Sequence, residues 1–211
     1  MNLFLKALDG TRVYPLTDRY ISGLSHEQQV LTLSSSGARV IQLREKELEA
    51  REFYGEAAAA IRIARQRGVH IIVNDRVDIA QALKADGVHL GQSDLPPTVA
   101  RQLLGNDAII GVSTHNLEQA KLAAEMPVDY VALGPIFPTT TKQSSNPPVG
   151  PEGVRQAREL LGDIPLVAIG GITEATGRQL LEAGATALAV VTDCWKPHNS
   201  APETRRRLFQ L

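Results

Sequence analysis

Hydrophobic positions along the chain gather into short runs, four or five residues each, separated by longer amphipathic stretches. The runs are too short for most helices and read as buried strands. They fall at Val13–Leu16, Arg39–Leu43, His70–Val73, Gly87–Leu90, Ile109–Val112, Tyr130–Gly134, Leu166–Ile169 and Ala187–Val191. Between them, helical spacing is clearest over Glu52–Gln66, Gln156–Leu161 and Glu174–Ala183, and less regular over Glu118–Glu125. Gly37, Gly68 and Gly184 each follow a helical stretch, as C-terminal caps do. Strands alternating with helices predict a parallel sheet with helices packed on it. Eight strands without a linker is the count of a TIM (β/α)8 barrel, a single α/β domain over residues 1–211. A doubly wound open sheet gives the same alternation, although no Gly-x-Gly-x-x-Gly follows the first strand. Residues Gln143–Pro151, with Ser, Asn and three prolines, read as a mobile loop.

Charge adds little to this picture: 22 basic against 23 acidic residues give no field that favours nucleic acid or a membrane surface. One cysteine, Cys194, leaves no internal disulfide and no cysteine zinc cluster. The first residues lack a long apolar core and no stretch approaches a membrane span, so a cytoplasmic location is the expectation by elimination.

The chemistry gathers where a barrel keeps it, at the C-terminal ends of the strands. The second strand runs into Gln42-Leu43-Arg44-Glu45-Lys46, where Gln42, Arg44 and Lys46 alternate and share a face. The third ends in Asn74-Asp75, the fourth is followed by Gln92-Ser93-Asp94, and the fifth ends in Ser113-Thr114-His115. The sixth leads into Pro138-Thr139-Thr140-Thr141-Lys142, the seventh into Gly170-Gly171, the eighth into Val191-Thr192. Hydroxyls, loop amides and cations are what a phosphate or diphosphate needs, since each donates to its oxygens. With a diphosphate between the basic groups, Asp75 and Asp94 suit a hard cation such as Mg²⁺. The paired glycines and the last loop occupy the usual phosphate site of a barrel, which points to a second phosphorylated substrate. Each element also has a plain reading: Arg44 and Lys46 as a solvated charge run, Asn74, Asp75 and Asp94 as helix caps, His89 and His115 as structural groups. Cys194 has no Cys-His arrangement around it. The recurrence of such groups at one rim favours the site.

These motifs, in order and at compatible spacing, resemble the thiamine-phosphate synthase family along nearly the whole chain. The resemblance rests on Gln42–Lys46, Asn74-Asp75, Ala85–Asp94, Gly111–His115, Asp129-Tyr130, Gly134–Lys142, Ala168–Ile172 and Ala189–Thr192. It implies a TIM barrel that joins a 4-amino-2-methyl-5-(diphosphooxymethyl)pyrimidine to a 4-methyl-5-(2-phosphoethyl)thiazole or its carboxylated form. Carried over by motif, Gln42, Leu43, Arg44, Glu45, Lys46, Asn74, Ser113 and Lys142 would meet the pyrimidine diphosphate. Of these, Arg44, Lys46, Ser113 and Lys142 would serve catalysis. Thr139, Thr140, Thr141, Gly171, Val191 and Thr192 would hold the thiazole phosphate, and Asp75 and Asp94 would ligate Mg²⁺. The implied mechanism is dissociative: diphosphate leaves, and the thiazole nitrogen captures a pyrimidine-methyl cation. Thr192 replaces the Ser of many members, Asp193-Cys194-Trp195 departs from small residues, and Arg76 replaces a second Asp of some relatives. A thiazole tautomerase paralogue or a phosphate-ligand sensor would have no use for the full set of diphosphate residues. Oligomeric state is not legible in the sequence.

Overall fold

The computed structural model of the chain describes residues 2–139, 146–196, 205–207 and 209–211. Eight strands are present among them: β1 (Val13–Pro15), β2 (Val40–Leu43), β3 (His70–Asn74), β4 (Gly87–Leu90), β5 (Ile109–Thr114), β6 (Tyr130–Leu133), β7 (Leu166–Ile169) and β8 (Ala187–Val190). All lie within two residues of the sequence expectation. They form one sheet in the order β1-β8-β7-β6-β5-β4-β3-β2, with every neighbouring pair parallel. A parallel bridge between Leu16 and Gln42 joins the sheet's two ends, supported by Thr17 N donating to Gln42 O at 2.9 Å. The sheet therefore closes into the expected barrel, and the open doubly wound alternative falls.

The helices are α1 (Leu3–Leu8), α2 (Arg19–Ser22), α3 (His26–Ser35), α4 (Ala50–Arg67), α5 (Val77–Leu83), α6 (Pro97–Leu104), α7 (Leu117–Ala124), α8 (Gly150–Leu161) and α9 (Glu174–Glu182), followed by a 3-10 turn at Thr192–Trp195. The sequence expectation covers α4, α7, α8 and α9. It misses α1, α2 and α5, which span two turns or fewer, along with α6, and of α3 it gives only the end, through Gly37. Gly37, Gly68 and Gly184 all carry positive φ, as helix-ending glycines do. The expected loop Gln143–Pro151 needs a correction at its end. Gly150 and Pro151 open α8, where a proline has no N–H to waste and its fixed φ suits the first turn.

Alternation along each strand divides the apolar residues into two layers. Ile41, Leu43, Val73, Leu90, Val112 and Leu133 face outward and pack under the helices. Val40, Ile72, Ile109, Tyr130, Val167 and Ala187 face inward and fill the barrel. The lower end of that interior is stoppered by α1, whose Phe4, Ala7 and Leu8 are buried in the inner cluster. Phe4 stacks on Tyr130 at 4.1 Å between ring centroids. Asn2 caps α1 and ties it to the bottom of the barrel through Nδ2 donating to Asp129 O at 2.9 Å.

Candidate active site

The upper rim gathers most of the residues expected there, because the inward positions of β2, β3 and β5 end in Gln42, Asn74 and Ser113. Two cavities open on this rim. The first, about 560 Å³, is lined by Arg44, Ser113, Thr139, Gly171, Val191 and Thr192 among others. The second, about 550 Å³, lies over Asp18–Ile21 and Arg44–Glu47 and also reaches Thr192. Arg44 and Thr192 border both, so the two spaces meet there.

Charged groups of both signs line the second cavity, Arg19, Arg44 and Lys46 beside Asp18, Glu45 and Glu47. The Arg44 guanidinium is in contact with the Asp18 carboxylate, and its backbone N–H donates to Thr17 Oγ1 at 3.1 Å. Asp18 is itself fixed by Ile21 N, which donates to its Oδ1 at 3.0 Å. Lys46 Nζ lies 2.5 Å from Asp75 Oδ2. Two members of the carried-over diphosphate set play a different part here. Leu43 is 0% exposed and sits in the outer layer, since period two places it opposite Gln42. Glu45 turns its carboxylate back into the protein, accepting from the N–H groups of Lys46, Glu47 and Leu48 and pairing with His26 Nε2 at 3.2 Å. Burial raises the Glu45 pKa, but these donors prevail and hold it below the ordinary carboxylate value. Neither side chain can donate a hydrogen to a phosphate, although Glu45 lines the second cavity.

Asp75 has φ of 62°, a left-handed conformation that a short polar side chain tolerates. Its N–H donates to His89 O at 2.8 Å, and its carboxylate stands beside that of Asp94. Asp94 Oδ2 accepts from Gly91 N at 2.6 Å. Burial, then the charge of Asp75, pushes the Asp94 pKa up. Two crowded carboxylates offering only oxygen fit a hard divalent cation, which typically takes one or two of them with phosphate oxygens and water. Among the described residues no group of three or more His, Cys, Asp or Glu is placed to hold a metal. Arg76 pairs with Asp78 at 2.5 Å and leaves Asp75 in place.

The first cavity is mostly apolar, with glycines and hydroxyls such as Gly170, Gly171, Thr139 and Thr192 in its wall. Gly171 has φ of 68°, and a Cβ there would come within 2.7 Å of Pro138 O, so the strand-seven loop can pass the Pro138 loop only as glycine. Thr192 starts the 3-10 turn after β8, where barrels often carry a short extra helix at a phosphate site. The N-terminus of α9 is already served: Thr173 accepts from Thr176 N, and Asp193 Oδ2 accepts from Glu174 N at 3.1 Å. Asp193 also pairs with Lys196 at 2.9 Å, and both line the cavity. Thr140, Thr141 and Lys142 lie outside the described residues.

Gln42 and Asn74 are 2% and 7% exposed and sit below the cavities. The described site also contains groups that sequence reasoning missed. Asp18 was legible as a polar residue just past the first strand, the one strand end left unread. Tyr14 and Tyr130 carried no such signal, because tyrosine in a strand reads as core. Of the two histidines expected to be structural, His115 bonds Gly134 O through Nδ1 at 2.7 Å and also lines the first cavity, while His89 is buried at 5% exposure.

The profile of the thiamine monophosphate synthase family matches residues 13–194. The chain belongs to this family. It is 45% identical over 182 residues to the thiamine-phosphate synthase of Chloroflexus aurantiacus, covering 86% of this chain and 83% of that protein. It is 44% identical over 186 residues to the thiamine-phosphate synthase of Albidiferax ferrireducens, covering 88% and 84% of the two chains. The solved thiamine phosphate pyrophosphorylase from Pyrococcus furiosus superimposes with a TM-score of 0.83 at 33% identity, over 94% of this chain and 95% of that one. As a member of the synthase family the chain is an enzyme, a transferase. No helix among its described residues is long and apolar enough to cross a membrane.

Proposed function

We propose that this chain is a thiamine-phosphate synthase acting on 4-amino-2-methyl-5-(diphosphooxymethyl)pyrimidine and 4-methyl-5-(2-phosphoethyl)thiazole or its 2-carboxy form. The observation that carries the reading is the pair of cavities meeting at Arg44 and Thr192, one lined by charged groups that include Arg44 and Lys46, the other by apolar groups with glycines and hydroxyls among them. A diphosphate suits the first of these environments and a monophosphate the second. In the reaction the bond between the pyrimidine methylene carbon and the diphosphate oxygen breaks, and the electron pair leaves with diphosphate. The thiazole nitrogen then donates its pair to the methylene cation, and the product is thiamine phosphate; the 2-carboxy substrate also releases CO₂.

Arg44 and Lys46 would neutralise the leaving group, with Gln42, Asn74 and Lys142 on the same side; Ser113 lines the first cavity, so the pyrimidine moiety itself would reach from the diphosphate into that space. Thr139, Thr140, Thr141, Gly171, Val191 and Thr192 would hold the thiazole phosphate beside it. The protein's part is positioning and charge stabilisation, with no general base required. Asp75 and Asp94 would hold Mg²⁺, which when bound supplies positive charge to the diphosphate oxygens.

The test is to mix purified protein, Mg²⁺ and both substrates, and to follow thiamine phosphate and diphosphate. The expected result is equal amounts of both, abolished by EDTA and restored by Mg²⁺; absence of the coupled product overturns the reading. Asp75→Asn and Asp94→Asn should each lower Mg²⁺-dependent turnover at least about 10–100-fold, the range seen when a metal site is disturbed. Unchanged turnover in both variants would remove the metal assignment and leave the coupling reaction standing.

A further inference from the structure

Beneath the cavities a line of buried polar side chains crosses the barrel from β2 to β5. Gln42 Nε2 donates to the Tyr14 hydroxyl at 3.0 Å, and the Tyr14 and Tyr130 hydroxyls are 3.0 Å apart. The Tyr130 hydroxyl is 2.8 Å from His89 Nδ1, and His89 Nε2 is 2.7 Å from Ser113 Oγ. Gln42, Tyr14, Tyr130 and His89 are all at most 5% exposed, whereas Ser113 borders the first cavity. Phenylalanine would fill the same volume without the cost of burying two hydroxyls and an imidazole.

The geometry points to Tyr14, Tyr130 and His89 as positioning residues that act through Ser113, fixing its hydroxyl as a hydrogen-bond donor into the cavity. This rests on the assignment of Ser113 to the pyrimidine diphosphate. The direction follows from counting hydrogens. Tyr14 accepts from the Gln42 amide; were it to accept from Tyr130 as well, its own buried hydrogen would have no acceptor among the described residues, so that hydrogen goes to Tyr130. Tyr130 then gives its own hydrogen to Nδ1 of His89. A neutral ring with Nδ1 accepting carries its hydrogen on Nε2 and donates to Ser113 Oγ. The hydrogen of Ser113 is left to point into the cavity, toward an acceptor such as a phosphate oxygen or a pyrimidine nitrogen. Burial raises both tyrosine pKa values far above the ordinary one, so both hydroxyls keep their hydrogens.

The middle of the chain of bonds is held from two sides. The Tyr130 ring stacks on Phe4 below, and it lies across Gly111, where a Cβ would fall 2.0 Å from Tyr130 Cζ. β5 gives up a side chain at Gly111 so that this ring can reach from β6 toward His89. A residue kept only to fill the core would not need its hydroxyl aimed at two polar partners.

Nitrogen-15 NMR of histidine-labelled wild-type protein reads the direction without any activity. The His89 signal, assigned by its loss in His89→Gln, should show Nε2 protonated and Nδ1 unprotonated; the opposite tautomer overturns the proposal. A double-mutant cycle reads the route to the substrate. By calorimetry and by kinetics, Tyr130→Phe should weaken affinity and kcat/KM for the pyrimidine diphosphate about tenfold and leave the KM of the thiazole phosphate unchanged. In a Ser113→Ala background the same substitution should cost nothing more, whereas independent losses that multiply would overturn the role. Tyr14→Phe should reproduce the effect and replaces Tyr130→Phe if that variant fails to fold; full pyrimidine affinity in the folded variant would overturn it. Wild-type coupling measured alongside separates failure of this inference from failure of the synthase reading.

Discussion

Arg44 is the one charged side chain that borders both described rim cavities. A guanidinium on a long flexible stem is useful there only if something holds it. Asp18 does so, and Asp18 is itself pinned by accepting from Ile21 N and by its own N–H donating to Gln29 Oε1 at 2.9 Å. Asp18→Asn keeps the helix cap and removes the charge. It should lower kcat/KM about 10–100-fold, the worth of a hydrogen bond to a charged group, with an unchanged circular dichroism spectrum. Wild-type kinetics in that variant would mean Arg44 needs no partner. Cys194 illustrates the opposite condition. It is 0% exposed, and burial, reinforced by the negative charge of Asp193, pushes its pKa up to about 12. Native protein should therefore resist a thiol reagent at mildly alkaline pH and react once unfolded by urea; rapid native labelling would contradict its burial.

At the scale of elements, the rim loop after β2 depends on a clamp built from α3. His26 bonds Thr17 Oγ1 through Nδ1 at 2.7 Å and Glu45 through Nε2 at 3.2 Å, so one buried ring ties the end of β1 to the end of β2. Burial outweighs the attraction of Glu45 and Glu56 and holds the His26 pKa below 6.5. As pH falls below that value the unfolded chain takes up a proton that the folded chain refuses. The stability contributed by His26 is thus complete above the unfolded pKa and is lost as pH falls through the folded one. Thermal melts of His26→Gln between about pH 7 and pH 5 should decline less steeply than those of wild type; parallel curves would refute the assignment.

The strands were legible because each is a compact apolar run, and the inward rim residues were legible because period two is strict. The clamp was not, since α3 mixes His26, Gln28, Gln29 and Thr32 with few apolar positions and gives no helical stripe. It forms because Ser25 and Gln28 build a capping box, a signal separate from hydrophobic periodicity. Leu43 and Glu45 mark the converse limit of motif reading. They sit inside a contiguous matching segment, yet only their neighbours Arg44 and Lys46 line the rim in a sense a phosphate can use.

Across the whole molecule, barrel closure and site formation are the same event, because Gln42 both bridges to Leu16 and anchors the polar line that ends at Ser113. The far end relies on α1, a segment of 6 residues that no periodicity reveals. Phe4→Ala would leave a hole against Tyr14 and Tyr130, whose ring centroids lie 5.5 and 4.1 Å from that of Phe4. Urea unfolding of that variant should report a loss of about 3–5 kcal/mol, as for other buried aromatic truncations. A loss under about 1 kcal/mol would show that α1 merely rests on the barrel.

Stoppered below by Phe4 and Leu8, the barrel is a blind tube with its working surface at one mouth. On the proposed reaction, two reactants would enter and two products leave past the same rim. Both cavities open there and share Arg44 and Thr192, so the two ligands would come and go side by side at one mouth, never through opposite ends of the barrel.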